Sequence, residues 1–238
     1  MRNVAALTKR ELVAYFLSPM AYIILTVFIL LSGYIFFEIL SMSQRADMTG
    51  IISFMAWLLL FVSPMLTMRL FADEFESGTI ETLMTAPVTT LEVVLSKYLA
   101  SLVFLLVLIV PTTVYAGILF AFGAPDPGPI VAGYFGLLLV GAFFLAVGMV
   151  ASACVRTQIS AAIVTFIILL SMDILRFLIR TDAVDPLSKA MRYVCFSNHF
   201  FGVFTKGIID SRDVVYFLTT SVFCLFLTTV VVTVRKWR

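Results

Sequence analysis

Residues able to do chemistry are few in this chain, and they gather in three places. Asp73, Glu74, Glu76 and Glu81 lie together between Arg69 and Pro87, Asp173 and Arg176 sit three apart with Arg180 four further on, and His199 shares a short segment with Asp210 and Asp213. His199 is the only histidine, and Cys154, Cys195 and Cys224 are scattered with no paired spacing. Metal-ligand spacing is therefore missing, and no metal site is expected. Neither a metal cluster nor a nucleophile–base grouping supports an intramembrane enzyme. The G-x-x-x-x-G-K-[ST] phosphate loop is also missing, so ATP binding of that kind must come from another chain.

The elements that carry these residues follow from composition. Of 238 residues 62% are hydrophobic and 13% charged, about half the charge of a soluble domain. The mean hydropathy is +1.11 and the net charge +2. A soluble domain, a disordered chain and a nucleic-acid binder are excluded. Charge-free windows run over 12–37, 48–68, 98–125, 127–155, 157–172 and 214–234, and Ile174, Leu175, Phe177 and Leu178 extend the fifth past its two charges. A hydrocarbon core of about 30 Å takes roughly 20 helical residues. The windows predict an all-α integral membrane protein, one transmembrane domain over 1–238, with six spans near 20–38, 50–70, 98–121, 130–152, 159–179 and 214–234. The first is expected to be a retained span, because its apolar run is too long for a signal-peptide core.

Orientation rests on Lys and Arg near the span ends. With both termini cytoplasmic, Arg2, Lys9, Arg10, Arg69, Lys97, Arg156, Arg235, Lys236 and Arg238 fall inside, nine against seven on the outer loops. The first 18 residues are then a basic flank or a short interfacial helix.

Between spans 2 and 3, the four-residue spacings Arg69/Asp73 and Phe71/Phe75 predict that span 2 continues as a helix beyond the membrane. Ser77-Gly78 should break it. Thr79 can cap a second short helix with Glu81 in its first turn, Ile80, Leu83 and Met84 on one face, and Pro87 as its stop. A helix of about seven residues needs a docking surface to be stable. That surface is either the protein's own spans or a partner. Thr89 and Glu92 have the spacing of a capping box for the helix of span 3. Small residues along span 4, among them Gly133, Gly136, Gly141 and Gly148, suit close helix packing. Asp173 and Arg176 read as an ion pair near the outer end of span 5. The segment from about 180 to 213 is too long and apolar for a plain loop and is expected to form re-entrant or interfacial helices, Gly207 ending one and Asp210 or Ser211 capping the next.

The pattern Glu74-x-Glu76-x-Gly78-Thr79-x-Glu81-x-Leu83-x-x-x-Pro87 with Lys97 opening the next span resembles permease subunits of type-2 ABC (ABC-2) transporters. The pattern Asn198-His199-Phe200-x-x-x-Phe204-x-x-Gly207-x-Ile209-Asp210-x-x-Asp213-x-x-Tyr216 resembles the subgroup of gliding-motility and nitrous-oxide-reductase-associated permeases. The resemblance implies a multi-pass protein of the bacterial cytoplasmic (inner) membrane, with cytoplasmic termini, an interfacial helix before span 1 and outer re-entrant helices between spans 5 and 6. Residues 71–87 after span 2 would be the coupling region, a coupling helix docking through Asp73, Glu74, Glu76, Gly78, Thr79, Ile80, Glu81, Leu83, Met84 and Pro87 on a separate cytoplasmic ABC ATPase subunit, which holds ATP and Mg. No cofactor is expected on this chain. A second permease, identical or related, would meet it through spans 1, 2 and 5. The implied function is an ATP-driven exporter subunit. The alternative is a non-transporting element that passes ATP-driven motion to a periplasmic or motility partner. Few ionisable groups lie at mid-depth, which leans toward membrane lipids or amphipathic molecules as substrates, or none.

Overall fold

In a computed structural model the described residues are 2–43, 47–78, 88–178, 193 and 195–236. Among them all regular structure is helical. The helices are α1 (Arg2–Leu17), α2 (Pro19–Ser43), α3 (Thr49–Thr67), α4 (Ala72–Glu76), α5 (Thr90–Ile109), α6 (Thr113–Phe122), α7 (Pro127–Cys154), α8 (Gln158–Leu178), α9 (Phe196–Phe201) and α10 (Ser211–Lys236). Six segments are long and apolar enough to cross a membrane: Pro19–Met42, Thr49–Glu76, Thr90–Phe122, Pro127–Cys154, Gln158–Leu175 and Ser211–Arg235.

Helix α7 is the centre of the bundle, with 72% of its span window buried inside the chain, whereas the windows of α2 and α8 are each 22% buried. Its glycines make this position possible. A Cβ on Gly136 would stand 2.7 Å from Phe204 Cγ, and one on Gly141 would stand 2.6 Å from Leu105 Cδ2. In lipid, where helices gain little from hydrophobic exclusion, such close backbone approach supplies the dispersion contact. Phe143 and Phe144 add a buried aromatic cluster with Phe196 of α9 and Phe217 of α10.

Local signals set most helix ends. Helix α2 starts at Pro19, whose missing N–H costs nothing in a first turn. At α5 the capping box forms: Glu92 N–H donates to Thr89 Oγ1 at 3.3 Å and Thr89 N–H to Glu92 Oε2 at 3.0 Å. Asp126 caps α7, and Asp210 accepts from Arg212 N–H at 2.9 Å to cap α10. Span 3, read from sequence as continuous, is divided by a 3-10 turn at Val110–Thr112. Pro111 there cannot donate to the helical ladder, and Tyr134 of α7 donates to the Thr112 carbonyl at 2.7 Å.

The continuation of span 2 also differs from expectation. Helix α3 ends at Thr67, and a turn intervenes before α4. Buried Ser152 of α7 holds that turn, accepting from Phe71 N–H and Ala72 N–H at 3.1 Å each. Arg69 and Asp73 consequently do not pair. Arg69 Nη1 donates to Ser18 Oγ at 2.7 Å, and Asp73 accepts from Gln158 Nε2 at 2.7 Å.

Candidate functional site

Four elements meet on the face of the bundle that carries α1. Lys97, in the second turn of α5, is 2% exposed. Its Nζ lies 2.7 Å from Glu74 Oε1 of α4 and 3.4 Å from Glu11 Oε2 of α1. It also sits 5.4 Å from the centroid of the Phe71 ring. One ammonium therefore joins the N-terminal helix, the segment following span 2 and span 3. Arg10 adds a bond to Glu11 at 2.8 Å.

Burial alone would raise the Glu11 carboxyl, yet Lys97 and Arg10 together hold it below its ordinary value. Burial pushes the Tyr15 hydroxyl up, with Glu11 adding to the shift, so Tyr15 stays a neutral donor to the Leu66 carbonyl at 2.9 Å. A carboxyl held below its ordinary value adds stability above that value and loses it as pH falls through the lowered one. The α1 contact is thus expected to be intact at neutral pH and to weaken only below about pH 4.5, the ordinary value for Glu11. Hydrogen exchange of the α1 amides measured from pH 7 to pH 3 should show this loss of protection, and Glu11→Gln should flatten it.

Helix α4 is pinned on its other sides as well. Besides the Asp73 bond to the Gln158 side chain, Glu76 Oε2 accepts from the Gln158 backbone N–H at 3.4 Å at the start of α8. Phe75 packs under the Arg235 guanidinium at 4.6 Å. Arg235 in turn donates to the Val155 carbonyl at 3.1 Å and to Cys154 O, closing the C-terminus of α7. The start of the chain, the end of α10, α4 and the α7–α8 turn thus share one face. Ser77-Gly78 ends α4, and Gly78 has φ +71°, a left-handed conformation that favours glycine. Of the sequence-derived docking residues, Asp73, Glu74, Glu76 and Gly78 are described, whereas Thr79, Ile80, Glu81, Leu83, Met84 and Pro87 lie outside the described residues. Asp73, Glu74 and Glu76 have internal partners that sequence spacing did not reveal.

On the opposite face, the residues of the Asn198–Asp213 pattern come together. Phe200 and Phe204 are fully buried against α7, and Gly207, with φ +82°, lets the chain pass Pro129, whose N would stand 2.9 Å from a Cβ there. His199 Nδ1 lies 2.6 Å from Asp213 Oδ1 and Nε2 lies 3.0 Å from the Tyr193 carbonyl, with the ring stacked on Tyr216 at 4.2 Å. Both ring nitrogens face oxygen atoms. Asn198 lies on the same short helix as His199, and Asp210 caps the last span. Asp173 is buried in α8 and accepts from Ser197 Oγ. The Arg176 side chain, its expected partner, lies outside the described side chains, as do residues 179–192.

Neither face gathers a metal cluster among the described residues. What the face carrying α1 can do is mechanical: it fastens the segment leading to residue 79 to spans 3, 4 and 5 and to α1. Comparison with curated proteins returns no match. The family model of the ABC-2 type transporter matches residues 2–209. Together with six apolar helices, that match establishes a multi-pass membrane protein: the chain belongs to the ABC-2 type transporter family and is a membrane permease component of an ABC transporter.

Proposed function

We propose that the chain is the permease subunit of an ATP-driven exporter of the bacterial cytoplasmic membrane, with both termini inside. In this reading residues 79–87 dock on a separate cytoplasmic ATPase that binds ATP and Mg. The observation that carries it is the fastening of α4 just ahead of that segment: Ser152, Lys97 and Gln158 tie it to spans 4, 3 and 5. A push delivered at 79–87 would be passed to these spans, and through Glu11 to α1, instead of being absorbed by a loop. Ile80, Leu83 and Met84 supply the apolar face of the docking segment. Glu81 supplies an acid next to it, and the exposed edges of Asp73 and Glu76 extend that rim.

A second permease, identical or related, would cover the thinly buried spans 1 and 5 together with the exposed Trp57 and Phe61 of span 2. Two permeases and two ATPases would form the working unit. The charged side chains buried in the described bundle, Lys97, Asp173 and Asp213, are each engaged by a neighbour, which supports an amphipathic or lipid-like cargo over an ion. The subgroup likeness of the outer segment also fits a role in which ATP-driven motion reaches a periplasmic or motility partner.

Leu83→Asp is expected to abolish co-purification of the ATPase from the native membrane while leaving membrane insertion intact. A charge on a docking face desolvated by a partner loses at least about tenfold in affinity. Normal association of the variant would overturn the docking assignment. Stimulation of the assembled ATPase by lipid-like compounds would favour export, and stimulation only by a protein partner would favour the mechanical role.

A further inference from the structure

A cavity of about 190 Å³ opens beside the charge cluster, between α1, the first turns of α2 and the end of α3. Its wall changes character with depth. Arg69, Lys97, Glu11, Asp73 and Glu74 give it a charged lining, and Met20, Ile24 and Met65 an apolar one, with Ile24 and Met65 a turn or more inside spans 1 and 2. The charged end is level with the span termini and the apolar end lies within spans 1 and 2, the order of a lipid head group and its first carbons. Beyond the cavity, the exposed Ile23, Val27 and Leu30 of α2 continue the apolar surface.

The charged end is electrostatically incomplete. Arg69 has one protein bond, to Ser18 Oγ, and no carboxylate within ion-pair distance among the described residues, although a guanidinium offers five N–H donors. Glu74 Oε2 is buried with no hydrogen-bond donor among the described residues, its other oxygen being taken by Lys97. Asp73 stands one residue away on the same wall. A cation with spare donors beside carboxylates with spare acceptors is complementary to a zwitterion. Arg69 suits a phosphate, which it can bind through two parallel N–H bonds. Asp73 is exposed and has one oxygen on Gln158 and the other to offer, which suits an ammonium that carries N–H donors, with Glu74 adding negative charge behind it. A quaternary ammonium has none to give, and a purely anionic head group would add charge to a wall where Glu11, Asp73 and Glu74 already outnumber Arg69 and Lys97.

We infer that this cavity is a binding site for a phospholipid whose head group joins a phosphate to a primary ammonium, that is, phosphatidylethanolamine. Its phosphate lies on Arg69, its ammonium on Asp73 within the field of Glu74, and its chains run along α2. The site requires only the cavity and its charges, and it is independent of how residues 79–87 engage an ATPase.

The test uses the full chain in nanodiscs of phosphatidylcholine containing equal fractions of phosphatidylethanolamine and phosphatidylglycerol, with retained lipids identified by native mass spectrometry after detergent release. Phosphatidylethanolamine should be retained about tenfold over either other lipid, and Arg69→Gln or Asp73→Asn should each remove about that factor. Ala14→Trp fills the cavity from an exposed position of α1 and leaves every charge in place, so it should also remove retention while melting temperature and gel-filtration profile stay unchanged. Equal retention of the three lipids, or full retention in a folded Ala14→Trp chain, would overturn the proposal. Preference for phosphatidylglycerol would overturn it in favour of an anion site. Displacement by inorganic phosphate but not by glycerophosphoethanolamine would overturn it in favour of a free-phosphate site.

Discussion

Lys97→Met is expected to destabilise the chain by about 3–5 kcal/mol, the usual result of removing one partner from a buried ionic group. The lysine is 2% exposed, and its loss would strand Glu74 and leave Glu11 with Arg10 alone, the two carboxylate side chains being 17% and 15% exposed. Glu74 would then have to take up a proton or move out to water, detaching α4 from span 3, and α1 would lose its ionic tie to that span through Glu11. Thermal unfolding in detergent should register the loss, and cleavage by trypsin after Lys9 and Arg10 should accelerate as α1 is released. The neutral combination Lys97→Met, Glu11→Gln, Glu74→Gln should recover most of the stability, because replacing a whole buried ionic group is often close to neutral. It should not recover ATP-driven function if Lys97 is the tie that carries motion between α4 and α1. Wild-type stability of the single variant would show that the three side chains are already well hydrated and that the cluster does not tie α1 and α4 to span 3.

The second large effect is expected at Gly148→Val. A Cβ at this buried position would stand 2.8 Å from both Cβ and Cγ2 of Thr67, with Thr67 Oγ1 closer still. Thr67 is fully buried, and its hydroxyl donates to the Ser63 carbonyl at 2.9 Å, so it has no free rotation with which to give way. The obstruction sits next to Thr67 Cβ, so α3 and α7 must separate. Overpacking of this kind costs about 1–3 kcal/mol and occasionally more. The separation would also draw Ser152 away from the N–H groups of Phe71 and Ala72, unfastening α4 from the bundle. A lowered melting temperature with faster hydrogen exchange across 70–76 is the expected signature. Gly148→Ala combined with Thr67→Gly moves the missing volume across the contact and should be more stable than Gly148→Ala alone. If the two substitutions simply add, the contact is looser than the structure has it.

Residues that act within one or two turns of each other were legible in the sequence. The capping box of Thr89 and Glu92, the start of α2 at Pro19, the cap at Asp210 and the break at Ser77-Gly78 all arise from chemistry spanning four residues or fewer, and all are present. The glycine-rich face of span 4 was equally readable, because small residues in a lipid-soluble helix have few other uses. Local spacing misled at one point. Arg69 and Asp73 are four apart, but the helix between them is interrupted by a cap from Ser152, about eighty residues away, and each side chain turns to a different neighbour.

Hydropathy places each residue along the membrane normal, because roughly 20 apolar residues must fill the hydrocarbon core and the charges must fall at its edges. From this the sequence alone determined six spans, the grouping of charges at their ends and the family pattern. It did not determine which span end stands beside which. Glu11, Glu74 and Lys97 share a depth by composition, yet that they meet, that Gln158 joins Asp73 and Glu76, and that Arg235 closes α7 depends on the positions of the helices in the plane of the membrane. Apolar lipid gives no preference among those arrangements. The tertiary structure decides through close packing, where Gly136, Gly141 and Gly148 admit Phe204, Leu105 and Thr67 and so fix the neighbours of the central helix.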